Sequence, residues 1–138
     1  MEQGVKSISS IIYVEDSEND ASLFLRAAQQ HNLGPDITVL TSAEEAREKI
    51  GALLKRGVGL PCVILVDLTL PKESGLSLIQ WLSDHSELRG VPILAISGTY
   101  KFENVDRVYD AGANVFLVKP TSPEEWEKVV HRIKKFCS

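Results

Sequence analysis

Five residues spread along the chain are of the types that phosphoryl chemistry uses: Glu15 and Asp16, Asp67, Ser97, and Lys119. Three carboxylates brought together repel, and each resists ionisation unless a cation sits among them. Oxygen ligands from Asp16, Asp67 and a backbone carbonyl just beyond suit an octahedral Mg²⁺ that keeps several waters. Such an ion neutralises the acids and binds phosphate oxygens, which leaves Asp67 as an in-line nucleophile. Lys119 is a compact point charge for a phosphoryl oxygen, and Ser97 can donate a hydrogen bond to another. Each residue alone reads as a solvated loop, a turn or a boundary. Their joint occurrence at strand ends is the signal.

The elements that must position them follow from the apolar pattern. Cys62-Val-Ile-Leu-Val66 is unbroken and β-branched, which reads as a strand buried on both faces. It runs into Asp67, and Pro71 and Gly75 then break regular structure. The carboxyl end of a buried strand is where open α/β sheets place their ligands.

The other strands are expected at Ile8–Val14, Ile37–Leu40, Pro92–Ser97 and Asn114–Val118. Helices follow each of them. Ser17 with Asp20 opens the first, which stops near Leu33-Gly34-Pro35. Ser42-Ala-Glu-Glu45 is a capping box for the second, with Ala43, Ala46, Ile50, Leu53 and Leu54 as its apolar face. Leu76–Leu82 is the third. Glu103–Ala111 is the fourth, closed by Gly112. Ser122-Pro-Glu-Glu125 caps the last, with Trp126, Val129, Val130, Ile133 and Phe136 inward. The pattern is (βα)₅, a flavodoxin-like α/β fold: a doubly wound parallel sheet with right-handed crossovers and strand order 2-1-3-4-5. The crevice lies at the carboxyl ends of strands 1 and 3.

Composition sets the outer bounds. At 138 residues, 43% apolar and 25% charged, the chain reads as one globular domain with no effector domain after it. A net charge of −4 points away from nucleic acid and phospholipid surfaces. No apolar run approaches the roughly 20 residues of a membrane span, and Met1–Ser10 lacks a signal-peptide core. Cys62 and Cys137 lie far apart without a paired spacing and read as reduced thiols in a cytoplasmic protein. The three histidines, His31, His85 and His131, are scattered among polar neighbours and read as surface residues rather than metal ligands.

From Ile11 to Phe136 the chain resembles the receiver domain of two-component response regulators. The acidic pair matches Glu15-Asp16, the phosphoacceptor Asp67, the hydroxyl residue Ser97, and the lysine followed by a cis proline Lys119-Pro120. Asp67-x-x-x-Pro71-x-x-x-Gly75 matches the phosphorylation loop, and Ala111-Gly-Ala113 the segment before strand 5. The resemblance implies that Asp16 and Asp67 ligate Mg²⁺ through their side chains, Thr69 through its backbone carbonyl and Glu15 through water. It implies a switch in which Ser97 moves toward the phosphoryl group and an aromatic on strand 5, here Phe116, turns inward behind it. Phe116 stands where the family more often has Tyr, so the ring can turn but cannot hydrogen-bond. Ser74, often acidic in the family, is a departure that touches loop stability rather than chemistry. The implied partners are a sensor histidine kinase or a histidine phosphotransfer protein, and a second copy of the chain through Tyr109, Phe116 and the last helix. Val14–Asp20, Leu70-Pro-Lys72 and Leu88–Pro92 further resemble single-domain regulators paired with bacterial phytochrome kinases.

Two other readings use the same residues. A haloacid-dehalogenase-like Mg²⁺ phosphatase also has a strand-end Asp nucleophile and a Lys. It needs a second Asp two residues on, where this chain has Thr69, and a cap domain. A degenerate receiver would bind partners without phosphorylation, although all five site positions hold competent residues. A flavodoxin is weaker still, because acids follow strand 1 where a phosphate loop needs Gly, Ser or Thr.

Overall fold

Every residue of the strands Val63–Asp67 and Ile93–Ser97 is buried, as sheet covered by helices on both faces requires. The computed structural model describes residues 10–98 and 102–137. Its strands are β1 (Ser10–Val14), β2 (Asp36–Leu40), β3 (Val63–Asp67), β4 (Ile93–Ser97) and β5 (Val115–Val118). They form one parallel sheet in the expected order β2-β1-β3-β4-β5. The expected start of β1 at Ile8 and Ser9 lies outside the described residues. The helices are α1 (Glu18–Gln30), α2 (Ala43–Arg56), α3 (Gly75–Ser83), α4 (Phe102–Ala111) and α5 (Pro123–Phe136), with a 3₁₀ turn at Ser86–Leu88. None is long and apolar enough to cross a membrane.

Period-2 alternation divides the core in two. Ile12, Val14, Ile64, Val66, Ile93 and Ala95 pack with α2, α3 and Val108 of α4. Ile11, Tyr13, Val63, Leu65, Leu94 and Ile96 pack with Phe24 of α1 and Trp126, Val130 and Ile133 of α5. Phe24 touches both Tyr13 and Trp126, with ring centroids 5.2 and 5.7 Å away.

The helix starts are set by the caps that the sequence announces. Ser17, Ser42 and Ser122 accept from the backbone N–H of Asp20, Glu45 and Glu125. Ser74 does the same for α3, accepting from Ser77, so the residue that departs from the family's acid starts a helix. Two glycines are sterically required. A Cβ on Gly75 would collide with the Asp67 carbonyl oxygen and lie 2.7 Å from the Leu68 Cα. Gly112 takes φ +121° against the Ser83 side chain, a conformation other residues rarely adopt.

Phe136, expected inward, is exposed: it is the last residue of α5, beyond the buried run from Trp126 to Ile133. Two further expectations are corrected. Cys62 and Cys137 are not free thiols: they form a disulfide across a separation of 75 residues, with Cα atoms 5.3 Å apart. The start of a strand and the end of a helix that returns antiparallel to the sheet share one edge. Cys62 precedes β3 and Cys137 follows α5, so tertiary winding brings together what spacing keeps apart. The second of these is Lys119-Pro120, which is trans, since no cis peptide occurs among the described residues. Trans is the default even before proline, by about 0.5–1 kcal/mol. The chain leaves β5 with the Lys119 N–H bonded to the Ser97 carbonyl at 2.7 Å.

Candidate functional site

Residues of one parity along β1, β3 and β5 carry the charges. Glu15 continues the face of Ile11 and Tyr13, Asp67 that of Val63 and Leu65, and Lys119 that of Leu117, all toward α1 and α5. Asp67 ends β3 and is 1% exposed; Glu15, just past β1, is also 1% exposed. Asp16 is exposed beside them. One carboxylate oxygen from each of Glu15, Asp16 and Asp67 lies within 4.8 Å of the others.

Lys119 reaches into this cluster. Its Nζ is 2.9 Å from Oε1 of Glu15, 3.0 Å from Oδ2 of Asp67 and 2.9 Å from Oδ2 of Asp20. The other oxygen of Asp67, Oδ1, accepts from both the backbone N–H and the hydroxyl of Thr69, each at 2.9 Å. Glu15 is held just as firmly: Oε1 also accepts from the Tyr13 hydroxyl at 2.8 Å, and Oε2 accepts from the Ser17 N–H at 3.2 Å.

These contacts divide the ionisation behaviour. Burial, then the neighbouring Asp67, push Glu15 up to about 6, against the pull of Lys119 and Tyr13. Burial also disfavours charge on Asp67, but the bonds from Glu15, the Thr69 N–H and Lys119 outweigh it and hold that carboxyl below its usual range. Burial works against the charged ammonium of Lys119, yet its three carboxylate partners raise its pKa overall. The Tyr13 phenol is pushed far up by burial and by Glu15. Asp67 is therefore the ionised carboxylate of the cluster, with Lys119 as its fixed cation.

The donor set fits a hard dication. Three carboxylates, those of Glu15, Asp20 and Asp67, share one ammonium, and a fourth, Asp16, lies beside Glu15 and Asp67. Oxygen ligands with surplus negative charge are what Mg²⁺ or Mn²⁺ takes.

Ser97 and Phe116 sit on the other face. Ser97, 3% exposed, continues the parity of Ile93 and Ala95, and Phe116 pairs with Ala95 across the β4–β5 ladder and packs on the core shared with α3 and α4. The Phe116 N–H donates to the Tyr109 hydroxyl at 3.1 Å, which ties β5 to α4. Asp67 and the two switch candidates thus lie on opposite faces of the sheet.

Two site residues were not singled out for chemistry in the sequence. Asp20 reads there as a cap partner, and its N–H does bond Ser17 at 3.2 Å; its carboxylate nevertheless faces Lys119. Tyr13 reads as strand core. The available signal was its place two residues before Glu15, on the same face.

A family model described as the response regulator receiver domain matches residues 11–131. The polar-differentiation response regulator DivK of Brucella ovis (strain ATCC 25840 / 63/290 / NCTC 10512) is 30% identical over 115 residues, which are 82% of this chain and 85% of that protein. The bacteriophytochrome response regulator AtBRR superposes with a TM-score of 0.75 at 27% identity, covering 94% of each chain. The Mn(2+)-bound form of response regulator Rcp1 superposes at 0.76 with 22% identity, again over 94% of each. The strand order, with the acidic cluster and the lysine converging on Asp67, agrees with that match. The chain is a member of the response regulator receiver domain family, a signalling module.

Proposed function

We propose that this protein accepts a phosphoryl group on Asp67 from a histidine kinase or a histidine phosphotransfer protein, with Mg²⁺ as cofactor. One observation carries the reading: Asp67 is buried and ionised at a strand end, with the Lys119 ammonium 3.0 Å from Oδ2. A carboxylate oxygen of Asp67 forms a bond to phosphorus, the donor's N–P bond breaks, and the leaving imidazole keeps the electron pair. Both Asp67 oxygens are now engaged, one by Thr69 and the other by Lys119. Whichever oxygen takes the phosphoryl group, its present donor turns to a phosphoryl oxygen, so charge is met as it develops. Asp16, Asp67, the Thr69 carbonyl and, through water, Glu15 are the groups to hold Mg²⁺. The bound ion supplies positive charge to the phosphoryl oxygens.

Phosphorylation then acts by population shift. Ser97 donates to the phosphoryl group, and Phe116, on the same sheet face, turns inward, favouring one of two arrangements of β4, β5 and α4. The Tyr109 hydroxyl bond to β5 is the contact that this movement disturbs. Tyr109, Val118 and Phe136 are exposed, and with Phe116 they offer the face for a second copy of the chain or another protein. The likeness to AtBRR, with the Val14–Asp20, Leu70–Lys72 and Leu88–Pro92 segments, supports a place after a bacterial phytochrome. That role is cytoplasmic, where the Cys62–Cys137 disulfide would meet thiol reductants.

The test is intact-protein mass after incubation with acetyl phosphate and Mg²⁺. A gain of one phosphoryl group, lost with EDTA and absent in Asp67→Asn, is expected. Labelling that persists in Asp67→Asn, or a wild-type chain that neither gains mass nor binds Mg²⁺, sinks the proposal.

A further inference from the structure

Two of the three histidines, scattered in the sequence, meet in the fold. His31 closes α1, its backbone N–H bonded to the Ala27 carbonyl at 3.0 Å. Glu127 and His131 lie four residues apart on α5 and so share a helix face. Nε2 of His31 is 3.7 Å from Oε1 of Glu127, and Nε2 of His131 is 3.5 Å from Oε2 of the same carboxylate. The two imidazole centroids are 5.8 Å apart, and one donor atom from each of the three residues lies within 4.8 Å of the others.

These separations suit an ion better than a direct contact. A good N–H···O bond closes at about 2.7–3.2 Å, and Glu127 makes neither that short. Two ligands about 2.0–2.1 Å from a tetrahedral Zn²⁺ stand roughly 3.4 Å apart, near the two N···O distances seen. The side chains are 29%, 43% and 54% exposed for His31, Glu127 and His131, which leaves an open direction for water.

We propose that His31, Glu127 and His131 form a site for a divalent transition-metal ion of the imidazole-preferring class, with Zn²⁺ as its type, completed by water. Two nitrogens and one oxygen on three side chains are a standard set for that ion. Mg²⁺ prefers oxygen ligands alone and is directed to the acidic cluster instead. The two sites are well separated: His31 lies eleven residues beyond Asp20 on α1, about 16 Å along the helix. The ion joins the end of α1 to α5, the helix that follows Lys119, and so braces two helices that flank the acidic site from their far side.

The test is calorimetric titration of the full, tag-free, oxidised chain with ZnCl₂ at neutral pH in excess Mg²⁺, so that the acidic cluster is occupied and the cysteines are unavailable. One Zn²⁺ per chain is expected, with affinity falling at least about tenfold in His31→Ala and in His131→Ala. His85→Ala and Asp67→Asn should bind as wild type. Far-UV circular dichroism checks that each variant is folded. Zn²⁺ should also raise the Tm of the wild type but not that of His31→Ala, because only the folded chain brings α1 and α5 together. No Zn²⁺ uptake, uptake indifferent to His31, or uptake lost with Asp67→Asn each overturns the proposal.

Discussion

Nζ of Lys119 lies 2.9 Å from Oδ2 of Asp20 and 3.0 Å from Oδ2 of Asp67. The lysine is therefore shared between Asp67 and a helix carboxylate that lies outside the proposed bond to phosphorus. Asp20→Asn removes one negative charge from the approach of an anionic donor and leaves Lys119 more available. Labelling by acetyl phosphate at saturating Mg²⁺ should rise about two- to fivefold, on the order of 0.5–1 kcal/mol. A rate at or below wild type would show that Asp20 does not restrain the lysine.

Lys119 is also the cation that allows Glu15 and Asp67 to be buried side by side. Lys119→Met leaves those carboxylates uncompensated, and breaking a buried pair from one side costs about 3–5 kcal/mol. Urea unfolding in EDTA should show that loss, and Mg²⁺ should restore more stability to the variant than it adds to wild type. Equal responses to Mg²⁺ would mean that the metal and the lysine do not neutralise the same carboxylates.

Gly75 shapes the loop that follows Asp67. Its backbone N–H bonds the Leu68 carbonyl at 3.1 Å, and its missing Cβ leaves room for the Asp67 carbonyl. Gly75→Ala pushes the start of α3 off β3. A loss of about 1–3 kcal/mol is expected, together with slower labelling. Gly90→Ala, where a Cβ meets nothing within 4 Å, should change neither.

The Arg47–Glu73 ion pair joins α2 to the loop before α3, and the Arg47 guanidinium also lies 5.4 Å from the Trp81 ring centroid. Slight burial would raise the Glu73 carboxyl, but Arg47 and the Ser77 hydroxyl hold it below its ordinary value. A depressed acid binds fewer protons when folded, so its contribution is present above the unfolded pKa and is lost as pH falls through the folded one. Glu73→Gln should cost about 0.5 kcal/mol at neutral pH, a figure scaled to a partly exposed pair. The two proteins should converge in Tm as pH drops below the ordinary glutamate range. A constant gap across that range would separate the pair from the pH response.

Reducing the Cys62–Cys137 disulfide releases a constraint on a 75-residue separation. Loss of a long-loop bridge costs about 2–4 kcal/mol, a Tm drop of roughly 5–12 °C for a domain of this size. Thermal scans with and without reductant, beside Cys62→Ser, measure it. Identical melting in both conditions would show that the bridge does not form in solution.

Much of this protein was legible from the chain. The unbroken apolar run before Asp67 fixed a central strand, because only a sheet covered on both faces has use for it. Ser17, Ser42 and Ser122 marked helix starts because a hydroxyl three residues ahead of an acid satisfies free N–H groups wherever the helix then packs. Glu15, Asp16, Asp67, Ser97 and Lys119 could be grouped because a parallel sheet brings strand ends to one edge. Period-2 and period-3.6 patterns are local, and sequence records local order directly.

What the chain alone did not disclose are meetings between distant segments. Asp20 turns from cap to Lys119 partner only when the lysine just past β5 reaches the first turn of α1. Cys62 and Cys137 become a bridge, and His31 and His131 neighbours, only because α5 returns antiparallel beside the sheet and ends where β3 begins. Proximity across a fold depends on winding and packing, and residue spacing along a chain does not encode it.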